Sequence, residues 1–151
     1  VDVVIANEED CESVFGITAG DVTTGDIDRQ RYLAVATQVL TRFPAVQQVA
    51  ITLRESHSAS RNGWSGVIVD RNGHAFAPRY EMDVVDRVGG GDSFAAGLIH
   101  ALISGKNREQ AIAWAVAASA LKHSIVGDFN LVSVAEVDAL AGGDASGRVQ
   151  R

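Results

Sequence analysis

Short apolar, β-branched runs alternate along this chain with stretches of helical period. The first run, Val1-Asp2-Val3-Val4-Ile5-Ala6, reads as a buried strand of a parallel sheet. Asn7 then looks like a helix N-cap, with Asp10 three residues on and acids in the first turn; the short helix ends near Gly16. Residues 18–25 read as a polar loop. Tyr32, Val35, Ala36, Val39, Leu40 and Phe43 recur at i, i+3, i+4, which predicts a helix from about Asp26 to Phe43, stopped by Pro44. Val46–Leu53 is the next strand. Gly66–Val69 and Ala75–Ala77 flank Asp70-Arg71-Asn72-Gly73-His74, where the Asn-Gly pair predicts a tight hairpin.

Met82–Val85 is a short extended piece that leads into Gly89-Gly90-Gly91. Phe94, Leu98 and Leu102 mark a helix to Ser104, with Gly105 as its C-cap. Asn107–His123 is apolar almost all round (Ala111, Ile112, Trp114, Ala117, Ala118, Leu121) and is expected to be buried on two sides. Ser133 and Glu136 form a capping box for a last helix, and the tail from Gly142 is expected to fray. Strands alternating with helices, interrupted by one antiparallel hairpin, predict a layered α/β fold with a mainly parallel sheet. A buried strand at residue 1 needs neighbours on both sides. The expectation is therefore that the chain lacks earlier strands, the alternative being that Val1 lies at an edge.

Composition narrows the function classes. The chain has 151 residues, 46% hydrophobic and 21% charged, which suits one globular domain with a real core. A net charge of −6 does not suit a nucleic-acid surface, and there is no basic run for an anionic membrane. The single cysteine, Cys11, makes no internal disulfide and fits a reducing compartment. No signal peptide and no long apolar span are visible, so the protein is expected to be cytoplasmic. His57, His74, His100 and His123 show no metal-ligand spacing and read as surface or satisfied polar groups. Trp64 reads as core or rim packing that also suits the neighbourhood of a ligand.

The sharpest chemical signal is Asp86-Arg87-Val88-Gly89-Gly90-Gly91-Asp92-Ser93-Phe94. Three glycines before a helix let the backbone turn tightly and aim N–H groups at an anion. Asp92 stands in that anion site. One task reconciles the two: its carboxylate accepts a proton from a hydroxyl that attacks a phosphate, while the glycine amides stabilise the moving phosphoryl group. The plainer alternative is a helix-start acid behind a glycine loop. The run is not GxGxxG, since Phe94 occupies the place of the third glycine, so a dinucleotide-binding dehydrogenase fits poorly; nor is it a Walker loop.

This segment resembles the signature Asp-Thr-x-Gly-Ala-Gly-Asp of the ribokinase-like carbohydrate kinases, matching at Asp86, Gly89, Gly91 and Asp92. Arg87 stands in place of Thr and Gly90 in place of Ala. The resemblance implies Asp92 as catalytic base and Gly89, Gly90 and Gly91 as anion hole. It extends along the chain. Asn7 and Asp10 resemble an Asn-x-x-Glu motif that positions magnesium through water. Thr52, and Arg54 in place of a usual glycine, take the position of a strand end along the nucleotide phosphates. Val116 and Ser119 are candidate neighbours of the purine. Asp86 braces the loop or helps bind a monovalent cation, as in some relatives. Thr52–Ala59, Asp86–Asp92 and Gly127-Asp128-Phe129-Asn130 together look like the bacterial 2-keto-3-deoxygluconate kinases. The implied activity is ATP-dependent, magnesium-assisted transfer to the 6-hydroxyl of that sugar acid. A fructokinase or ribokinase type, or a non-catalytic nucleotide-binding module, stays open. The implied architecture is the C-terminal, nucleotide-binding and catalytic-base portion of a single ribokinase-like domain over residues 1–151, without the N-terminal half and lid. By itself this portion is expected to be inactive, and the full-length protein a homo-oligomer.

Overall fold

The computed structural model describes residues 1–17, 29–58 and 60–143. Five strands and five helices follow in the order β1 (Val3–Ala6), α1 (Glu8–Phe15), α2 (Arg29–Arg42), β2 (Gln48–Ser56), β3 (Arg61–Asp70), β4 (Gly73–Phe76), β5 (Tyr80–Asp83), α3 (Gly90–Ile103), α4 (Arg108–Lys122) and α5 (Val134–Gly142). The loop expected over 18–25, the first residues of the second predicted helix and the tail beyond 143 lie outside the described residues.

Side chains of a strand alternate between faces, and here each face has its own core. Val49, Ile51, Leu53, Val67 and Val69 pack with Val35, Ala36, Val39 and Leu40 of α2. Ala50, Trp64 and Ile68 point the other way, onto Phe94 and Leu98 of α3 and Ile112, Ala115 and Val116 of α4. The result is a three-layer α/β/α arrangement, as expected. α3 and α4 approach closely because small residues meet: a Cβ on Gly97 would lie 3.0 Å from the Ala118 Cβ.

The sheet is more mixed than the sequence suggested. β1 joins β2 in parallel, whereas β2–β3, β3–β4 and β3–β5 are antiparallel. Segments 57–60 and 71–72 are too short for the crossover that a parallel pair needs. β4 and β5 share β3 as partner, one after the other. Pro78, which has no N–H to donate, lies in the break between them. β2 runs on to Ser56, so Arg54 is a strand residue opposite Trp64. β3 begins at Arg61, not Gly66. Asn62 and Ser65 hide its period, and both are buried.

The caps account for the helix ends. Asn7 and Asp10 satisfy each other's backbone N–H groups at the start of α1, and Gly16 ends it in the left-handed region at φ 65°. Asn107 with Gln110 and Ser133 with Glu136 do the same at the starts of α4 and α5. Ser104 is the C-cap of α3, and the left-handed Gly105 follows it.

Candidate functional site

The three signature glycines hold three different positions. Gly89 is the N-cap of α3 at φ 76°, in the region that favours glycine. A Cβ there would overlap the carbonyl oxygen of Asp128. Gly90 is buried, and a Cβ on it would meet the His123 ring at 2.6 Å. Its amide donates to the Arg87 carbonyl at 3.2 Å. Gly91 is exposed and helical, and a Cβ there would meet nothing within 4 Å. Its amide and that of Asp92 belong to the first turn, where no intrahelical acceptor exists. Of the three glycines expected to form an anion hole, Gly91 alone lies open, with its amide and that of Asp92 lacking intrahelical acceptors, while Gly89 and Gly90 are packed against Asp128 and His123.

Asp92 is exposed on the first turn of α3. Among the described residues its carboxylate has neither a hydrogen-bond partner nor an ion pair, and the N-cap of α3 makes no side-chain bond. Asp92 opens onto a cleft of about 370 Å³ between α3, α4 and the segment leading into α5. At the far end of that cleft His100 stacks on Trp114 with ring centroids 4.6 Å apart.

A second, smaller pocket of about 110 Å³ lies on the other side of the loop. Arg54, Asn62, Trp64, Arg87, Gly91 and His123 are among its lining residues. Asn62 and Trp64 are 2% and 7% exposed, and Asn62 Oδ1 and Trp64 Nε1 have no hydrogen-bond partner. Unmatched buried polar atoms beside an open pocket are poised for a ligand or water. Arg54 is exposed and has no ion pair among the described residues; its neighbour Glu55 binds Arg79 at 2.9 Å instead.

Strand register brings the remaining candidates to the same end of the sheet. Ala6 pairs with Ile51, so Asn7 follows β1 where Thr52 follows Ile51 on parallel β2. Ligands of open α/β sheets gather at such carboxyl ends. Asn7 Oδ1 accepts from Asp10 N at 2.7 Å and Asp10 Oδ2 from Asn7 N at 3.0 Å, which leaves Asp10 Oδ1 without a partner among the described residues. One free carboxylate oxygen suits contact with hydrated magnesium through water, not a direct ligand cage.

Val116 and Ser119, the candidate purine neighbours, have no exposed surface. Val116 packs toward Gly66 of β3, and the Ser119 hydroxyl donates to the Gly90 carbonyl at 2.8 Å. Both are core residues because α4 is covered by α3 on one side and by β3 on the other. Ser119 thus supports the signature loop from below. His123 does the same: its Nδ1 donates to the Ser119 carbonyl at 2.7 Å, and its ring lies against Gly90 and meets Trp64 at a tilt of 56° with centroids 4.9 Å apart. Burial pushes the His123 pKa down, against the Ser119 bond that raises it, and the nearby cations Lys122, Arg87 and Arg54 push it further down. No pattern in the chain signals this role, since a histidine after an apolar helix reads equally well as surface.

Asp86 braces the loop. Its carboxylate accepts from Val88 N at 3.0 Å and from Gly127 N at 2.8 Å. These backbone bonds, and the charge of Lys122, hold its carboxyl below the usual aspartate range. Lys122, at the end of α4, is fully buried and donates to the Ile125 carbonyl at 3.0 Å.

The sequence pattern of the pfkB family carbohydrate kinases matches residues 1–130. The chain is 32% identical over 146 residues to the 2-dehydro-3-deoxygalactonokinase of Haloferax volcanii, covering 96% of this chain and 40% of that protein. The crystal structure of 2-dehydro-3-deoxygluconokinase from Thermotoga maritima is similar at a TM-score of 0.85 and 44% identity, over 95% of this chain and 42% of that one. Ribokinase from the same organism shares the fold at a TM-score of 0.62 and 22% identity, over 95% of this chain and 43% of that one. The chain thus spans about two fifths of the length of these relatives. No helix among the described residues is long and apolar enough to cross a membrane. With the family's pattern matched over most of its length and its signature turn at the head of α3, the chain belongs to the pfkB family of carbohydrate kinases.

Proposed function

We propose that this chain supplies the catalytic base and much of the nucleotide site of an ATP-dependent kinase for 2-keto-3-deoxygluconate, also called 2-dehydro-3-deoxygluconate. One observation carries the reading. Asp92 presents an exposed carboxylate, unpaired among the described residues, directly beside the open Gly91 amide, at the positive end of α3 and at the mouth of the cleft. A helix-start acid has no need of that cleft, whereas a base that must meet an incoming hydroxyl does.

The chemistry follows from the placement. The sugar's 6-hydroxyl gives its proton to a carboxylate oxygen of Asp92, and its oxygen attacks the γ-phosphorus as the bond to ADP breaks. The amides of Gly91 and Asp92 receive the charge that gathers on the transferred phosphoryl oxygens. Thr52 and Arg54 flank the nucleotide phosphates, with Arg54 reaching the pocket next to Gly91. Magnesium, when bound with ATP, neutralises phosphate charge; Asp10 Oδ1 and Asn7 would hold its hydration shell. The names of the relatives, both kinases of 2-dehydro-3-deoxy sugar acids, support the choice of substrate class. The sugar contacts are assigned to parts of such kinases outside this chain.

The test is an ADP-release assay of the full-length protein with 2-keto-3-deoxygluconate, its galactonate epimer, fructose and ribose. The proposal expects the highest kcat/KM with one of the two keto-deoxy acids. Preference for fructose or ribose would move the protein to another branch of the family. ATP binding without transfer to any sugar would make it a nucleotide-binding module.

A further inference from the structure

Buried polar side chains of this fold are matched as a rule. The Ser65 hydroxyl donates to the Ala77 carbonyl at 3.1 Å, that of Ser119 to the Gly90 carbonyl, and Trp114 Nε1 to Asp138 Oδ1 at 2.7 Å. Three buried side-chain atoms break the rule among the described residues: Asn62 Oδ1, Trp64 Nε1 and Arg108 Nε. The arginine is anchored through another atom, with Nη1 2.7 Å from Asp70 Oδ1. The other two sit together. Both belong to the first half of β3, two residues apart and so on one face of the sheet, and both line the small pocket beside Gly91. An unmet donor or acceptor away from water is costly. Two of them at one pocket call for a guest that meets both.

Their order along the strand says which part of the guest each meets. Trp64 lies opposite Arg54 of β2, and its ring meets His123, which packs against Gly90. Trp64 thus sits at the end of the pocket nearest the glycine turn, where Arg54 and the open Gly91 amide favour an anion. Asn62 lies further out along β3, opposite Ser56 and Met82, about 7 Å from Trp64. An indole N–H suits a phosphate oxygen. An amide oxygen needs a donor, and a hydroxyl supplies one; a hydroxyl also satisfies the amide if its two ends are exchanged.

We infer that Trp64 and Asn62 are direct contacts of the nucleotide: the Trp64 indole N–H donates to a phosphate oxygen of ATP beside Gly91, and the Asn62 side chain binds a hydroxyl of the adjoining ribose. The inference rests on the nucleotide part of the function proposed above. It adds two recognition residues outside the signature turn, and it makes the pocket selective for a ribonucleotide, because a deoxy analogue leaves the buried amide unmet.

The test uses the full-length protein. With nitrogen-15 in its tryptophans, it is titrated with ATP, inorganic tripolyphosphate or adenosine while the indole N–H resonances are followed, Trp64 being assigned through Trp64→Phe. ATP and tripolyphosphate should move the Trp64 resonance, and Trp114, whose N–H is held by Asp138, should stay in place. Calorimetry then compares ATP with its 2′-deoxy and 3′-deoxy analogues. The wild type should bind one of the analogues about tenfold more weakly than ATP, the worth of one buried hydrogen bond. Asn62→Ala should bind ATP and that analogue equally; if this variant does not fold, the wild-type comparison still decides. ATP that saturates the wild type yet leaves the Trp64 resonance in place overturns the inference. So does a Trp64 resonance that answers adenosine but not tripolyphosphate, or equal affinity of the wild type for ATP and both analogues. Each of these results leaves the kinase reading standing, whereas a wild type that binds no ATP takes that reading down as well.

Discussion

Alanine placed in turn at the three signature glycines separates packing from ligand approach. At Gly89 the new Cβ meets a backbone carbonyl, which moves only with its loop, and the backbone is already at φ 76°. The left-handed conformation alone costs about 1–2 kcal/mol and the overlap about 1–3 more, so Gly89→Ala should lose roughly 2–5 kcal/mol. At Gly90 the Cβ lies 2.6 Å from a ring held by Trp64 and the Ser119 carbonyl, so the ring must shift. Gly90→Ala should lose about 1–3 kcal/mol. At Gly91 there is open space and a helical backbone. Gly91→Ala should be neutral or gain up to about 1 kcal/mol, because alanine restricts the unfolded chain. At about 2–4 °C per kcal/mol for a chain of this size, thermal unfolding followed by circular dichroism resolves the series. Activity should run the other way for Gly91. A methyl group at the mouth of the phosphate site displaces the phosphoryl by about an ångström, and kcat/KM should fall about 10²-fold. Full activity in a stable Gly91→Ala protein would refute the reasoning, and so would a destabilisation matching that of Gly89→Ala.

Three further outcomes are expected. Arg54→Ala should raise the KM for ATP about three- to tenfold with kcat little changed, a modest effect because the side chain is solvent-screened; steady-state kinetics at varied ATP checks it, and an unchanged KM removes the contact. Ser119→Ala should cost about 1 kcal/mol, since the Gly90 carbonyl loses its buried hydroxyl donor, and denaturant unfolding reads that directly. His123 titrates below the ordinary histidine value in the folded chain, so the unfolded chain binds more protons in the window below about pH 6.5. Its stabilising effect is present above that window and is lost as pH falls; the acid-side drop in unfolding temperature should therefore be smaller in His123→Gln.

Much of this molecule was visible in its residue pattern where local rules dominate. The capping residues Asn7 and Ser133 and the apolar patterns of α2 and α4 predicted helices close to those found. Strand ends and pairing direction were less visible. Buried Asn62 and Ser65 break the apolar run of β3, and whether strands pair parallel depends on loop lengths that only correct boundaries reveal. The signature turn could be read as a glycine loop that opens a helix, because the three glycines stand directly before the apolar period of α3. Its division of labour could not: whether Gly89, Gly90 or Gly91 faces solvent depends on Asp128 and His123, which arrive from 30 or more residues away in sequence. That Val116 and Ser119 are buried was hidden for the related reason that helix periodicity does not say which side of an all-apolar helix is covered.

The central claim is that Asp92 deprotonates the acceptor hydroxyl, and Asp92→Asn tests it most directly, since amide for carboxylate keeps the shape and removes the base. With ATP affinity measured by calorimetry and phosphoryl transfer by ADP release in the full-length protein, kcat should fall by about 10²–10⁴-fold while the Kd for ATP stays within about twofold. An Asp92→Asn protein that transfers phosphate at the wild-type rate would contradict the account.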